Sequence, residues 1–153
     1  MLGVYTACGQ MCVGAERLYV FSGIYDRFVE TVCARVAALR QGPPSLEPPE
    51  RGRFDVGATT MPRQLEIIER QLADAVQKGA RVLVGGRRNP SWPGQFFEPT
   101  VVVDVNPSME LVQHETFGPV MTIQRVDSEE EAIRLANATA YGLAAGLWTR
   151  DLS

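Results

Sequence analysis

Thr100-Val-Val-Val-Asp-Val105 is a run of β-branched apolar side chains interrupted by one carboxylate. A strand of this kind has two apolar faces, so it is stable only when both are covered. Leu18–Phe21, Ala80–Val84 and Pro119–Val126 also read as strands, and Leu143–Thr149 reads as a last one. Most are apolar runs and not clean alternations of apolar and polar residues. Helical periods lie between them. Ile24, Phe28, Val32 and Val36 recur every four residues, with Val29 and Leu39 beside them, and predict a helix from about Ile24 to Leu39. Leu65, Ile68, Leu72, Ala75 and Val76 predict a second from about Pro62 to Lys78, with Pro62 suited to its first turn and Gly79 to its stop. Ser128-Glu-Glu-Glu131 has the form of a capping box ahead of Ile133, Leu135 and Ala136. Strands alternating with helices predict an α/β fold with a largely parallel sheet covered by helices.

Gln41 to Arg53 holds four prolines and two glycines and reads as a surface connection, because the α/β pattern resumes beyond it. A chain of 153 residues is enough for one domain with a core. Its net charge of −3 argues against a general binder of nucleic acid or anionic membrane. No apolar run approaches a membrane span, and no signal peptide is evident at the N-terminus. Cys8, Cys12 and Cys33 show no spacing of a secreted disulfide framework, which favours a reducing compartment, the cytoplasm. Cys33 falls near the apolar stripe of its helix and reads as a small core residue.

The chemistry is concentrated in Tyr5-Thr-Ala-Cys-Gly-Gln-Met-Cys12. A glycine permits a tight turn, and a thiol just after such a turn can be presented at a surface. A free thiol ionises near pH 8.5, and backbone N–H groups at a turn raise its thiolate fraction. About a hundred residues later comes His114-Glu-Thr-Phe-Gly-Pro119, which taken alone also reads as a capped turn.

Together these segments resemble the aldehyde dehydrogenase superfamily. Tyr5, Gly9, Gln10 and Cys12 occupy the places of its cysteine signature, although Ala7 stands where many members carry Asn. Glu115, Phe117, Gly118 and Pro119 match its Glu-x-Phe-Gly-Pro segment. Phe97-Glu-Pro-Thr100 and Ala140–Gly146 are also similar to family segments. The resemblance implies a covalent mechanism: the Cys12 thiolate attacks an aldehyde, hydride passes to NAD or NADP, and water hydrolyses the thioester. It implies that Glu115 binds the hydroxyls of the ribose beside the nicotinamide and that Phe117 packs near the same ring system. Gln64 matches a position that touches the adenine ribose, although Ile67 stands where many members have Lys. Met11 would border the aldehyde entrance, and reads equally as core filler.

The resemblance further implies that residues 1–153 are an interior fragment of the catalytic domain. The family's dinucleotide-binding domain, its general-base Glu and its C-terminal part are expected outside this chain, and the fragment is expected to be inactive alone. The full-length enzyme is expected to be a homo-oligomer. The alternatives are a non-catalytic module that folds alone or pairs with another subunit, and a thiol enzyme using Cys12 with His114. No metal site is expected, since neither a second cysteine pair nor a histidine pair exists.

Overall fold

The structure, a computed structural model, describes residues 2–43 and 51–150. Among the described residues four strands make one sheet: β1 (Arg17–Phe21), β2 (Arg81–Val84), β3 (Thr100–Val103) and β4 (Val120–Val126), in the order β1-β4-β3-β2. β4 runs parallel to both β1 and β3, and β2 is antiparallel to β3. The sheet is therefore mixed and mostly parallel.

Its two faces explain the β-branched run. Val101 and Val103 of β3, with Met121 and Ile123 of β4, pack under α2 (Ser22–Ala37) and α1 (Leu2–Tyr5) against Val4, Tyr5, Tyr25, Val32 and Val36. Val102 and Val120 point the other way, to Leu65, Ile68, Leu72 and Ala75 of α3 (Pro62–Gln77) and to Leu111 and Val112 of α4 (Glu110–Gln113). Successive residues of a strand face opposite sides, so all of β3 is buried. The strand ends before the predicted Val105 because Asp104 takes a left-handed φ of 57° and turns its carboxylate to Arg81.

The helices match their predicted spans with two corrections to their faces. Ile24 is 61% exposed and Val76 51% exposed. A repeat of four drifts around a helix of 3.6 residues per turn, and from Ile24 to Val36 the drift is roughly 120°. Tyr25 takes the inward place instead. In α5 (Glu129–Ala136) the Ser128 hydroxyl accepts from the Glu131 amide at 3.1 Å. The Glu131 carboxylate reaches back to the amide of Asp127 at 2.9 Å, one residue earlier than a strict capping box.

The predicted strand Leu143–Thr149 is not formed. A strand exists through its ladder, and this segment pairs with neither edge of the sheet, β1 or β2. Leu143, Leu147 and Trp148 are exposed there.

Of the proline-rich connection, residues 44–50 lie outside the described residues. Its two flanks are tied together. The Arg40 guanidinium meets the Asp55 carboxylate at 2.9 Å, holding that carboxyl down at about 2, and Gln41 bridges to Val56. The buried Gln41 amide donates to the carbonyls of Phe97 and Gly57 at 2.7 and 3.2 Å. No helix among the described residues is long and apolar enough to cross a membrane.

Candidate active site

The first signature begins at a pin. The Tyr5 hydroxyl, buried in the core, donates to the Thr100 carbonyl at 2.8 Å. After it, Ala7, Cys8 and Gly9 take left-handed φ values of 51°, 60° and 73° and reverse the chain. At Gly9 the reason for glycine is a close approach. A Cβ built there would stand 2.0 Å from the Gly118 carbonyl oxygen and 2.4 Å from its carbon. The two signature segments therefore touch backbone to backbone. At Gly118 a Cβ would meet not backbone but the end of the Ile68 side chain, with Cδ1 at 2.4 Å.

Gln10 fastens the same turn to the segment before α3. Its Nε2 donates to the carbonyls of Ala7 and Ala58 at 2.8 and 3.3 Å, and its Oε1 accepts from the Thr60 amide at 2.7 Å. The Gly14 amide then bonds the Met11 carbonyl at 2.8 Å, closing a tight turn around Cys12. Cys12 and its neighbours Met11 and Val13 are exposed.

The loop returns to the sheet at Glu16. One carboxylate oxygen accepts from the Phe117 amide at 2.8 Å, and both oxygens lie at 3.0–3.1 Å from the Thr116 amide. The loop bearing Cys12 thus has one foot at Gly9 against Gly118 and the other at Glu16 against Thr116 and Phe117. Burial pushes the Glu16 carboxyl up, the two amides pull it down, and neighbouring Glu115 adds to the upward push.

The second signature is a turn held from several sides. Glu115 is exposed and Phe117 is half-buried with a left-handed φ of 48°. A non-glycine residue so placed costs roughly 1–3 kcal/mol and persists where its surroundings over-determine it. Hydrogen bonds to a charged acceptor contribute about 1.5–3 kcal/mol, enough to offset that cost. Besides Glu16, Gln71 donates to the Glu115 carbonyl at 3.3 Å, Gln64 donates to the Thr116 carbonyl, and the Glu115 amide donates to the Tyr141 hydroxyl at 3.3 Å.

Three predicted site residues, Cys12, Glu115 and Phe117, stand on these two interlocked turns, and Met11 borders Cys12 at 40% exposure. Gln64 is the fifth predicted site residue. It is 9% exposed and its amide nitrogen is committed to the Thr116 carbonyl, so it lies beneath the second turn. Helix spacing explains this, since Gln64 shares its face with Ile68 and Gln71, both buried. Glu16 and Gln71 carried no sequence signal, because their partners lie far along the chain. Tyr141 lies within the Ala140–Gly146 segment but had no role assigned by the sequence.

The other thiols differ from Cys12. Cys8 is 1% exposed and burial pushes its thiol up to about 12. Cys33 is half-buried and pushed up by the same cause. Two hollows of about 210 and 330 Å³ flank α2, lined by residues such as Phe28 and Met121 or Cys33 and Arg81, and neither includes Cys12 or Glu115. No cluster of three metal-ligating side chains occurs among the described residues.

The model of the aldehyde dehydrogenase family matches residues 1–153, and the chain belongs to that family. The 3-sulfolactaldehyde dehydrogenase of Pseudomonas putida is 39% identical over 156 residues, covering 99% of this chain and 30% of that protein. Succinate-semialdehyde dehydrogenase (NADP(+)) 1 of Mycobacterium tuberculosis is 41% identical over 143 residues, covering 94% and 30%. Among solved structures, the lactaldehyde dehydrogenase of Escherichia coli superposes with a TM-score of 0.89 at 37% identity, over 98% of this chain and 30% of that one. The betaine aldehyde dehydrogenase of Staphylococcus aureus, in complex with NAD+, also gives 0.89, at 34% identity over 98% and 29%. The chain spans about 30% of the length of the relatives it matches.

Proposed function

We propose that this chain carries the nucleophile-bearing part of the catalytic domain of an NAD(P)-dependent aldehyde dehydrogenase, with Cys12 as nucleophile. The observation that carries the reading is that both feet of the exposed Cys12 loop rest on the turn bearing Glu115 and Phe117. The residues present fit a dinucleotide. An exposed carboxylate on a fixed turn can accept two hydrogen bonds from a ribose diol. The half-buried Phe117 ring beside it offers an apolar wall. Glu115 would hold the ribose and Phe117 the neighbouring ring, while Gln64 supports the turn from below. Hydride acceptance is the chemistry a nicotinamide dinucleotide supplies there when bound.

The chain's own residues supply the first bond. With its proton released to solvent, the Cys12 thiolate adds to the aldehyde carbon, a C–S bond forms, and the carbonyl π pair moves onto oxygen. No hydrogen bond within the described residues engages the Cys12 amide, which is free to donate to that oxygen. Met11, beside the sulfur, borders the path by which the aldehyde arrives. Three free thiols suit a reducing, cytoplasmic setting. Assembly of the complete enzyme from identical chains belongs to the same reading.

The test uses the full-length protein with NAD+ or NADP+ and a panel of succinate semialdehyde, lactaldehyde, 3-sulfolactaldehyde and betaine aldehyde. Reduced nicotinamide is expected to accumulate with at least one of them. Cys12→Ser should lower that rate on the order of 10⁴-fold or more. No turnover of any aldehyde in the panel, or an active Cys12→Ser variant, overturns the reading.

A further inference from the structure

We propose that Glu16 is a positioning residue, whose carboxylate holds the Glu115–Phe117 turn in the shape that presents Glu115 and Phe117 to the dinucleotide. The proposal rests on the function read above. Its first support is convergence: the amides of two successive residues, Thr116 and Phe117, both donate to one carboxylate. Successive N–H groups turned to one side form a concave seat for an anion. Here the anion is part of the chain, and Phe117, in its left-handed conformation, is the residue the seat requires to be bent.

The second support is that Glu16 is itself fixed. Its backbone carbonyl accepts from both the amide and the hydroxyl of Thr122 in β4, at 3.0 and 2.9 Å. The carboxylate therefore transmits the position of the sheet to the turn. The third is division of labour. Gln64 and Gln71 hold the carbonyls of Thr116 and Glu115, and Tyr141 receives the Glu115 amide. The amides of Thr116 and Phe117 are left to Glu16. Because Glu16 also ends the Cys12 loop, its side chain joins the Gly9–Gly118 contact in tying the nucleophile's loop to the ribose-binding turn.

The experiment compares Glu16→Ala and Glu16→Gln with the parent in the full-length protein. Amide hydrogen exchange is read by mass spectrometry on the peptide spanning residues 114–118, NAD+ and NADP+ affinity by fluorescence titration, and Cys12 accessibility by its rate of iodoacetamide labelling. Glu16→Ala is expected to speed exchange at Thr116 and Phe117 and to weaken dinucleotide binding by about 10- to 100-fold, the scale of a lost charged hydrogen bond. Labelling of Cys12 should change by less than about threefold, because the Gly9 and Gln10 contacts remain. Glu16→Gln keeps one oxygen acceptor and should lie between. Unchanged exchange in Glu16→Ala overturns the clamp. Faster exchange with unchanged dinucleotide affinity overturns its positioning role. If Glu16→Ala does not fold, Glu16→Gln is judged by the same two criteria. A parent protein that binds neither dinucleotide overturns the functional reading and the positioning role with it, while the exchange data still decide whether the clamp exists.

Discussion

The hydroxyl of Tyr5 donates to the backbone carbonyl of Thr100 at 2.8 Å, inside the core where β3 begins. The first residue of the cysteine signature is thus a pin between the loop that carries the sulfur and the most buried strand of the sheet. Tyr5→Phe keeps the ring and leaves that carbonyl without this donor. The expected loss is about 1–3 kcal/mol, seen as a lower urea midpoint at unchanged m-value.

Gly9→Ala tests the contact between the two signatures. A left-handed alanine costs about 1–2 kcal/mol, and forcing a methyl group against the Gly118 backbone adds about 1–3 kcal/mol. Gly52 is the control, since its φ is 72° but a Cβ there meets nothing within 4 Å. Gly52→Ala should show the conformational cost alone. Equal urea midpoints for the two variants would refute the close approach.

Thiol labelling under native conditions should proceed in the order Cys12, Cys33, Cys8. Cys12 is exposed, Cys33 is half-buried, and Cys8 reacts through opening of the fold. Peptide mapping after limited alkylation reads the order, and early modification of Cys8 would contradict it.

The buried Cys8 thiol also makes stability depend on pH. Burial pushes its folded value up to about 12, above the ordinary range of a thiol, so the unfolded chain loses the proton first. Above the unfolded value the folded state holds more protons, and stability falls as pH rises. Between pH 9 and 10 the Cys8 contribution approaches about 1.4 kcal/mol per pH unit, with Cys33 acting in the same direction. Denaturant midpoints across this window should fall, and Cys8→Ala should flatten the slope. An unaltered slope in that variant would count against burial of the thiol.

Ser128→Ala removes the side-chain acceptor for the Glu131 amide and should cost roughly 1 kcal/mol. Ser128→Asp should restore most of it, and both changes are readable in thermal melts.

Much of the fold is legible in the sequence. The β-branched Thr100–Val103 run, the α3 periodicity, the Ser128 cap and the Gly9 turn each act over a few residues, and each reappears in the structure. Errors arose where a local signal needed a distant partner. Ile24 carried the right period, yet the sheet lies under Tyr25. Leu143–Thr149 has strand-like residues and no ladder.

The residues near Cys12 are of types that a thiol-bearing turn needs, and they declare it by spacing alone, because turn geometry is a matter of neighbouring dihedral angles. Which surface that turn rests on is a different question. Tyr5 on Thr100, Gly9 on Gly118 and Glu16 on Phe117 join positions some hundred residues apart, and no pattern in the chain announces them. Packing of two helical layers on one sheet brings these pairs within hydrogen-bond and van der Waals reach, and in doing so sets the sulfur and the carboxylate on a common support.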